Sequence, residues 1–309
     1  MATLVGMLAA LTLAYVSSEP CLLGRPFELT TQGICATDHA AKPWPLISGY
    51  SGSGRDQYME PPGTNHYRLL AHLAQGMATA CGARAPHICD LGTNHGDSVR
   101  AWISGSPSAP VSTFDLNDAP QQIAKLQRKR GGPAATQTPE GVREFFGSNV
   151  RFFRGNLLED AGMFGACNAS TLMLLDTLHE PDKQPFEVAF LEKLHGAGYK
   201  GLVLLDDTRL NREMKKFWAE ACNFAARHGY KAHDLTRVGH YSGTGAIDFS
   251  GGRLLSNQVE PMPPARCNCE PATVESCSGP PPTAAARKHC KPVAISPVRC
   301  GRAALQLKG

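Results

Sequence analysis

The sequence predicts an α/β protein built on a doubly wound, mainly parallel sheet that closes with an antiparallel terminal hairpin. Three observations carry that expectation. Short apolar runs alternate with segments of helical period from residue 65 to residue 229. The runs in HICDLG, TLMLLD and GLVLLDD are continuously apolar, as strands covered on both faces must be. Each run also ends in polar residues at the same side: Asp90, Asp115, Asn156, Asp176 and Asp206-Asp207. Right-handed crossovers restrict such a series to a doubly wound topology.

The elements follow in chain order. Residues 1–18 carry an apolar stretch from Leu4 to Val16, too short to span a bilayer, followed by small residues suited to cleavage after Ser18. A signal peptide is expected; an apolar helix or an organelle-targeting segment is the alternative, since no Lys or Arg precedes the stretch. Residues 19–60 are rich in Gly, Pro and Ser without a period and read as an irregular cap. The body is expected over 61–256. It opens with a helix carrying Tyr67, Leu70, Leu73 and Met77 on one face. Strand 87–92 and a helix from Gly96 follow, then strand 111–118 and helix 121–130. Residues 131–139 are expected as a loop, 149–156 and 171–179 as strands. Helix 185–198 presents Phe186, Phe190, Leu191 and Leu194, and its glycines end it. Strand 201–207, helix 211–229 and a hairpin over 230–250 turning at Ser242-Gly243 complete the body. Met214, Phe217, Trp218, Cys222 and Ala225 form the inner face of that last helix.

Composition limits the function classes. The net charge of +4 lies wholly in residues 260–309, so the body is neutral and carries no general nucleic-acid footprint. No segment is long and apolar enough for a transmembrane span. The tail, 257–309, holds five of the 11 cysteines and nine of the 23 prolines, with little to form a core. Disulfides in an oxidising lumen explain it, in agreement with a signal peptide, so the secretory pathway or secretion is expected. Cytoplasmic or organellar placement is the alternative. Zinc competes for the cysteines, but CNC lacks paired CxxC spacing. NAS at Asn168 is a glycosylation pattern of low specificity.

Ligands of open α/β sheets bind beyond the carboxyl ends of the strands, so the polar strand ends mark the site. DLGTNHGDS offers Gly92 and Gly96 for a tight turn and a helix N-terminus for an anionic group. Asn94 stands where the dinucleotide fingerprint has its middle glycine, so that motif is a poor match. Asp115 can accept two hydrogen bonds from ribose hydroxyls.

DLGTNHGDS followed by FDLND resembles the nucleoside-binding half of class I S-adenosylmethionine-dependent methyltransferases. The likeness spans roughly residues 65–250. LLDTLH, KGLVLLDD and GHYSGTGAIDF are similar to the small-molecule and sugar O-methyltransferase branch. The resemblance implies a seven-stranded, Rossmann-like sheet with the last hairpin inserted antiparallel. It implies S-adenosyl-L-methionine as cofactor, held by Asp90, Gly92, Thr93, Asn94, Gly96 and Ser98, with Asp115 on the ribose and Asn156 beside the adenine. The fourth and fifth strand ends are similar to those of magnesium-dependent O-methyltransferases. That implies Mg²⁺ or another divalent cation on Asp176, Asp206 and Asp207. His179 stands where that family has a lysine base, and with Asp176 it would be catalytic; a satisfied polar residue is the plainer alternative. The expected activity is O-methylation of a small hydroxylated molecule or sugar. A metal-dependent enzyme of another reaction type, or a non-catalytic secreted binding protein, are the rivals.

Overall fold

A computed structural model describes residues 26–29, 66–82, 85–177, 185–236, 238–239 and 242–256. The chain divides into two units, Met1–Met262 and Pro263–Gly309, and every described residue belongs to the first. The signal-like start, nearly all of the expected cap, the Cys/Pro tail, His179 and His240 lie outside the described residues.

Helix α1 (His66–Cys81) buries Leu69, Leu70, Leu73, Ala74 and Met77, the face that the helical period marked. Strand β1 (Ile88–Leu91) follows, then α2 (Asp97–Gly105) and β2 (Val111–Asp115). Helix α3 (Ala119–Arg130) starts earlier than expected because Asp118 caps it: the carboxylate accepts from Gln121 N–H at 3.0 Å, and Pro120 occupies the first turn. The expected 131–139 loop is only part of the connection. It holds a 3₁₀ turn at Ala134–Thr136, and α4 (Pro139–Phe146) follows, capped by Thr138. Strand β3 (Val150–Arg154) leads to α5 (Ala161–Asn168), which is capped by Asp160 and also lacked an assignment from sequence.

Strand β4 (Leu172–Leu175) stops at the last apolar residue, not at 179. Helix α6 (Pro185–Gly196), β5 (Leu202–Asp206) and α7 (Arg212–His228) come next. On α7, Ala221 and Phe224 join Met214, Phe217 and Ala225 in the core; Trp218 is half-buried. Strands β6 (Lys231–Asp234) and β7 (Thr244–Asp248) are antiparallel, but residues 235–243 separate them, so the tight turn expected at Ser242-Gly243 is a longer connection.

The sheet has seven strands in the order β3-β2-β1-β4-β5-β7-β6. All neighbours are parallel except those of β7, which runs antiparallel to β5 and β6. This is a doubly wound, Rossmann-like fold. The chain order reverses between the parallel strands β1 and β4, with β2 and β3 laid outward on one side and β5 on the other, and ligand crevices form at such a switch point. Two cores lie on the two faces. Ile88, Leu172, Leu174, Leu202 and Leu204 face one core with α1, α2 and α3. Cys89, Leu91, Met173, Leu175, Val203 and Leu205 face the other with α5, α6 and α7. Alternation along each strand explains why the runs are apolar throughout.

Candidate functional site

The site is built where β1 ends. Asp90 is completely buried, and its carboxylate accepts from three protein donors. Trp102 Nε1 donates to Oδ1 at 3.0 Å; Ser98 Oγ and Thr113 Oγ1 donate to Oδ2 at 3.1 and 3.0 Å. Thr93 Oγ1 lies 2.5 Å from Thr113 Oγ1 and extends the chain of hydroxyls. Burial pushes the Asp90 carboxyl up to about 6, against the pull of these hydrogen bonds, and the nearby Asp176 charge adds to the rise. Asp90, Thr93 and Ser98, three of the residues expected at the cofactor, are thus buried at the base of the loop. Their side chains point inward and tie β1, β2 and α2 together, so they shape the loop rather than line its mouth.

The loop surface is made by Gly92, Asn94 and His95, whereas Gly96 is buried against the Phe146 ring. Gly92 has φ +95, and a Cβ there would stand 1.7 Å from the Asp176 carbonyl oxygen. Only glycine fits where β1 and β4 release the chain so close together. Asp176 N–H donates to Leu91 O at 3.0 Å, which joins the two strand ends. Asn94 adopts φ 43, and its N–H donates to Asp115 Oδ2 at 2.9 Å. Asp115 Oδ1 accepts from Asn117 N–H at 2.9 Å. The half-buried Asp115 is thereby fixed beside the glycine loop, with the exposed Leu116 next to it. Gly96 N–H bonds Thr93 O at 2.7 Å, and α2 begins directly after it.

Asn156, expected beside the adenine, lies just after β3. Its Oδ1 accepts from Leu158 N–H at 3.0 Å and its Nδ2 donates to Glu159 Oε1 at 2.8 Å. The side chain holds a local turn after β3, as Asn side chains commonly do.

At the carboxyl ends of β4 and β5 the three expected metal ligands are separated in their engagements. Asp206 is buried, with Oδ1 3.5 Å from His66 Nδ1 at the start of α1. That distance is long for a hydrogen bond, so the contact is chiefly electrostatic. Asp207 has φ 54, and Ser242 Oγ donates to its Oδ1. Asp176 is half-buried beside Gly92. Among the described residues no three His, Cys, Asp or Glu side chains are grouped to hold a metal ion, so the expected cation site is not assembled there. Thr177 Oγ1 donates to the buried Glu187 Oε1 at 3.0 Å, which anchors the chain leaving β4 to α6.

Sequence reasoning gave no site role to His66, Trp102, Thr113 and Glu187, and took Ser242 only as a turn residue. The only signal for Trp102 was its place one helical turn after Ser98 on α2. Nothing local signals His66, whose partner is 140 residues away in the chain.

Cys89 on β1 and Cys167 on α5 form a disulfide with Cα atoms 5.3 Å apart, both fully buried. This pair lies in the body, where no pairing was expected. Asn168 ends α5 and is half-buried with its Oδ1 enclosed, an unfavourable setting for the glycosylation pattern.

No protein-family model matches the chain, and no curated protein matches it by sequence. Solved structures do match. A methyltransferase from Podospora anserina with bound S-adenosylhomocysteine is 14% identical, with 70% of this chain and 92% of that chain covered and a TM-score of 0.41. An O-methyltransferase family protein from Burkholderia thailandensis is 19% identical, covering 62% of this chain and 59% of that one, with a TM-score of 0.35.

Proposed function

We propose that this chain is an S-adenosyl-L-methionine-dependent methyltransferase that methylates a hydroxyl of a small molecule or sugar. The observation that carries the reading is the Gly92–Gly96 loop fixed to Asp115 through the Asn94 N–H. It leaves a close backbone approach at the end of β1, at the sheet's switch point, next to a carboxylate at the end of the neighbouring β2. A nucleoside with an anionic or zwitterionic tail suits such a pair: the ribose hydroxyls donate to Asp115, and the tail lies along the glycine backbone and the α2 N-terminus.

The chain's own residues would then act as follows. Asp90, braced by Trp102, Ser98 and Thr113, keeps the loop in shape. Asp115 holds the ribose. Asp176, beside Gly92, faces the acceptor side, where a carboxylate can accept a hydrogen bond from the attacking hydroxyl and orient it. Methyl transfer to oxygen is direct displacement: the acceptor oxygen bonds to the methyl carbon, the carbon–sulfur bond breaks and the sulfur keeps the electron pair. Positioning of the two reactants accounts for most of the acceleration in such a step. His179 remains a proposed proton acceptor in this scheme. The buried Cys89–Cys167 pair supports the oxidising lumen proposed for the chain.

The test is calorimetry of the full chain with S-adenosylmethionine and S-adenosylhomocysteine. Saturable binding in the micromolar range, weakened about tenfold or more by Asp115→Ala, is the expected result. Absence of both heats from well-folded protein would sink the reading.

A further inference from the structure

We infer that the His66 imidazole occupies the position against Asp206 that a divalent cation would take, so the carboxyl ends of β4 and β5 work without one. The inference rests on the methyltransferase reading and concerns its acceptor side. Mg²⁺ demands oxygen ligands converging on one point in near-octahedral geometry. The three carboxylates at these strand ends do not converge. Asp206 is directed to His66, at 3.5 Å, and both side chains are 6% exposed. Asp207 turns out of the strand at φ 54 and is held by Ser242 on the approach to β7. The register that pairs Leu175 with Leu205 puts Asp176 beside Asp206, so two carboxylates end adjacent strands.

Neighbouring carboxylates in a poorly solvated place repel unless something of opposite polarity stands against them. A cation is one solution and an imidazole N–H is another. His66 is well placed for the second. It is the first residue of α1, whose inner face is locked into the core by Leu69, Leu70 and Leu73. Tyr67 packs edge-on against its ring, with centroids 5.1 Å apart. The imidazole is therefore delivered by a rigid element and closes one side of Asp206. His66 is a positioning residue here: it fixes Asp206 and bars the approach of a metal.

The experiment uses the full chain, stripped with chelator and titrated with MgCl₂ and MnCl₂ by calorimetry and thermal shift. Wild type is expected to give no saturable heat and a melting shift below about 1 °C. His66→Ala opens Asp206 beside Asp176, and the variant is expected to gain a saturable, Mn²⁺-dependent rise in melting temperature. Adding Asp176→Asn removes that gain. If the alanine variant does not fold, His66→Gln serves in its place. A saturable cation site in wild type that Asp206→Asn abolishes would overturn the inference, as would a folded His66 variant that gains nothing. S-adenosylhomocysteine binding is read in the same samples. Its loss from folded wild type counts against the methyltransferase reading, whereas the cation data alone decide the role of His66.

Discussion

Gly92 is the residue on which the crossing of two strand ends depends. Gly92→Ala would combine a φ of +95 with a Cβ only 1.7 Å from a backbone oxygen that cannot swing aside. The expected cost is about 3 kcal/mol or more, read as a lowered denaturation midpoint with S-adenosylhomocysteine binding lost alongside. Asp90 has a different signature. Its carboxyl titrates near 6 in the folded chain and at the ordinary 3.8 when unfolded. Between those values the native state holds the extra proton, so the Asp90 contribution favours folding more as the pH falls from about 6 towards 3.8. Asp90→Asn is expected to remove that component from a stability–pH curve. It also leaves three donors facing an amide that cannot serve them all. Both carboxylates were legible as strand ends. Which one faces inward was not, because the donors that claim Asp90 come from α2 and β2.

The long, strongly periodic elements could be read directly. In α1 and α6 the faces expected from spacing are the faces that are buried or half-buried. The short helices α4 and α5 could not be found by period, since eight residues make only two turns. Their caps were the available signal: Thr138 before Pro139, and Asp160 before Ala161, whose carboxylate accepts from Met163 N–H at 2.9 Å. The end of β4 was overshot because Thr177 and Leu178 extend the β-prone run, while in the fold the chain is drawn off towards α6 by Glu187. Capping gives a clean check at this scale. Asn211 Oδ1 accepts from Met214 N–H at 2.8 Å at the start of α7. Asn211→Ala is expected to cost about 1 kcal/mol in urea denaturation without altering cofactor affinity.

The disulfide acts on the molecule as a whole. Cys89 and Cys167 are 78 residues apart in the chain, so in the chain-entropy account their bond restricts the unfolded ensemble by about 4 kcal/mol. A Cys89→Ser, Cys167→Ser variant is expected to lose up to that amount in urea. Because both sulfurs are fully enclosed, reductant should open the bond in wild type only at denaturant concentrations that unfold the chain. The pH response is also global. Burial holds His72, His87 and His233 below their ordinary 6.5, with the Arg151 charge adding to the effect at His87. At His233 the Lys231 charge works in the same direction and Asp248 against it. The unfolded chain therefore binds more protons than the native one just below pH 6.5, and the stability present above it is lost as the pH falls. Among the described residues His72, His87 and His233 act against Asp90 in this range, and the expected outcome is net acid lability, visible as a lower melting temperature at pH 5.5 than at about pH 7.5.

The sequence by itself determined the layered α/β class, the parallel sheet and the carboxyl edge that carries the polar residues. Those follow from hydrophobic periodicity and from strand ends, which are local in the chain. Only the tertiary structure decided how each carboxylate is engaged: Asp90 with α2 and β2, Asp206 with α1, Asp207 with the segment before β7, Asp115 with the glycine loop. The physical reason is distance along the chain. A carboxylate's role depends on the donors and charges around it, and apart from the local Asn117 N–H on Asp115 these come from residues between 8 and 140 positions away, brought together by packing that no local pattern encodes.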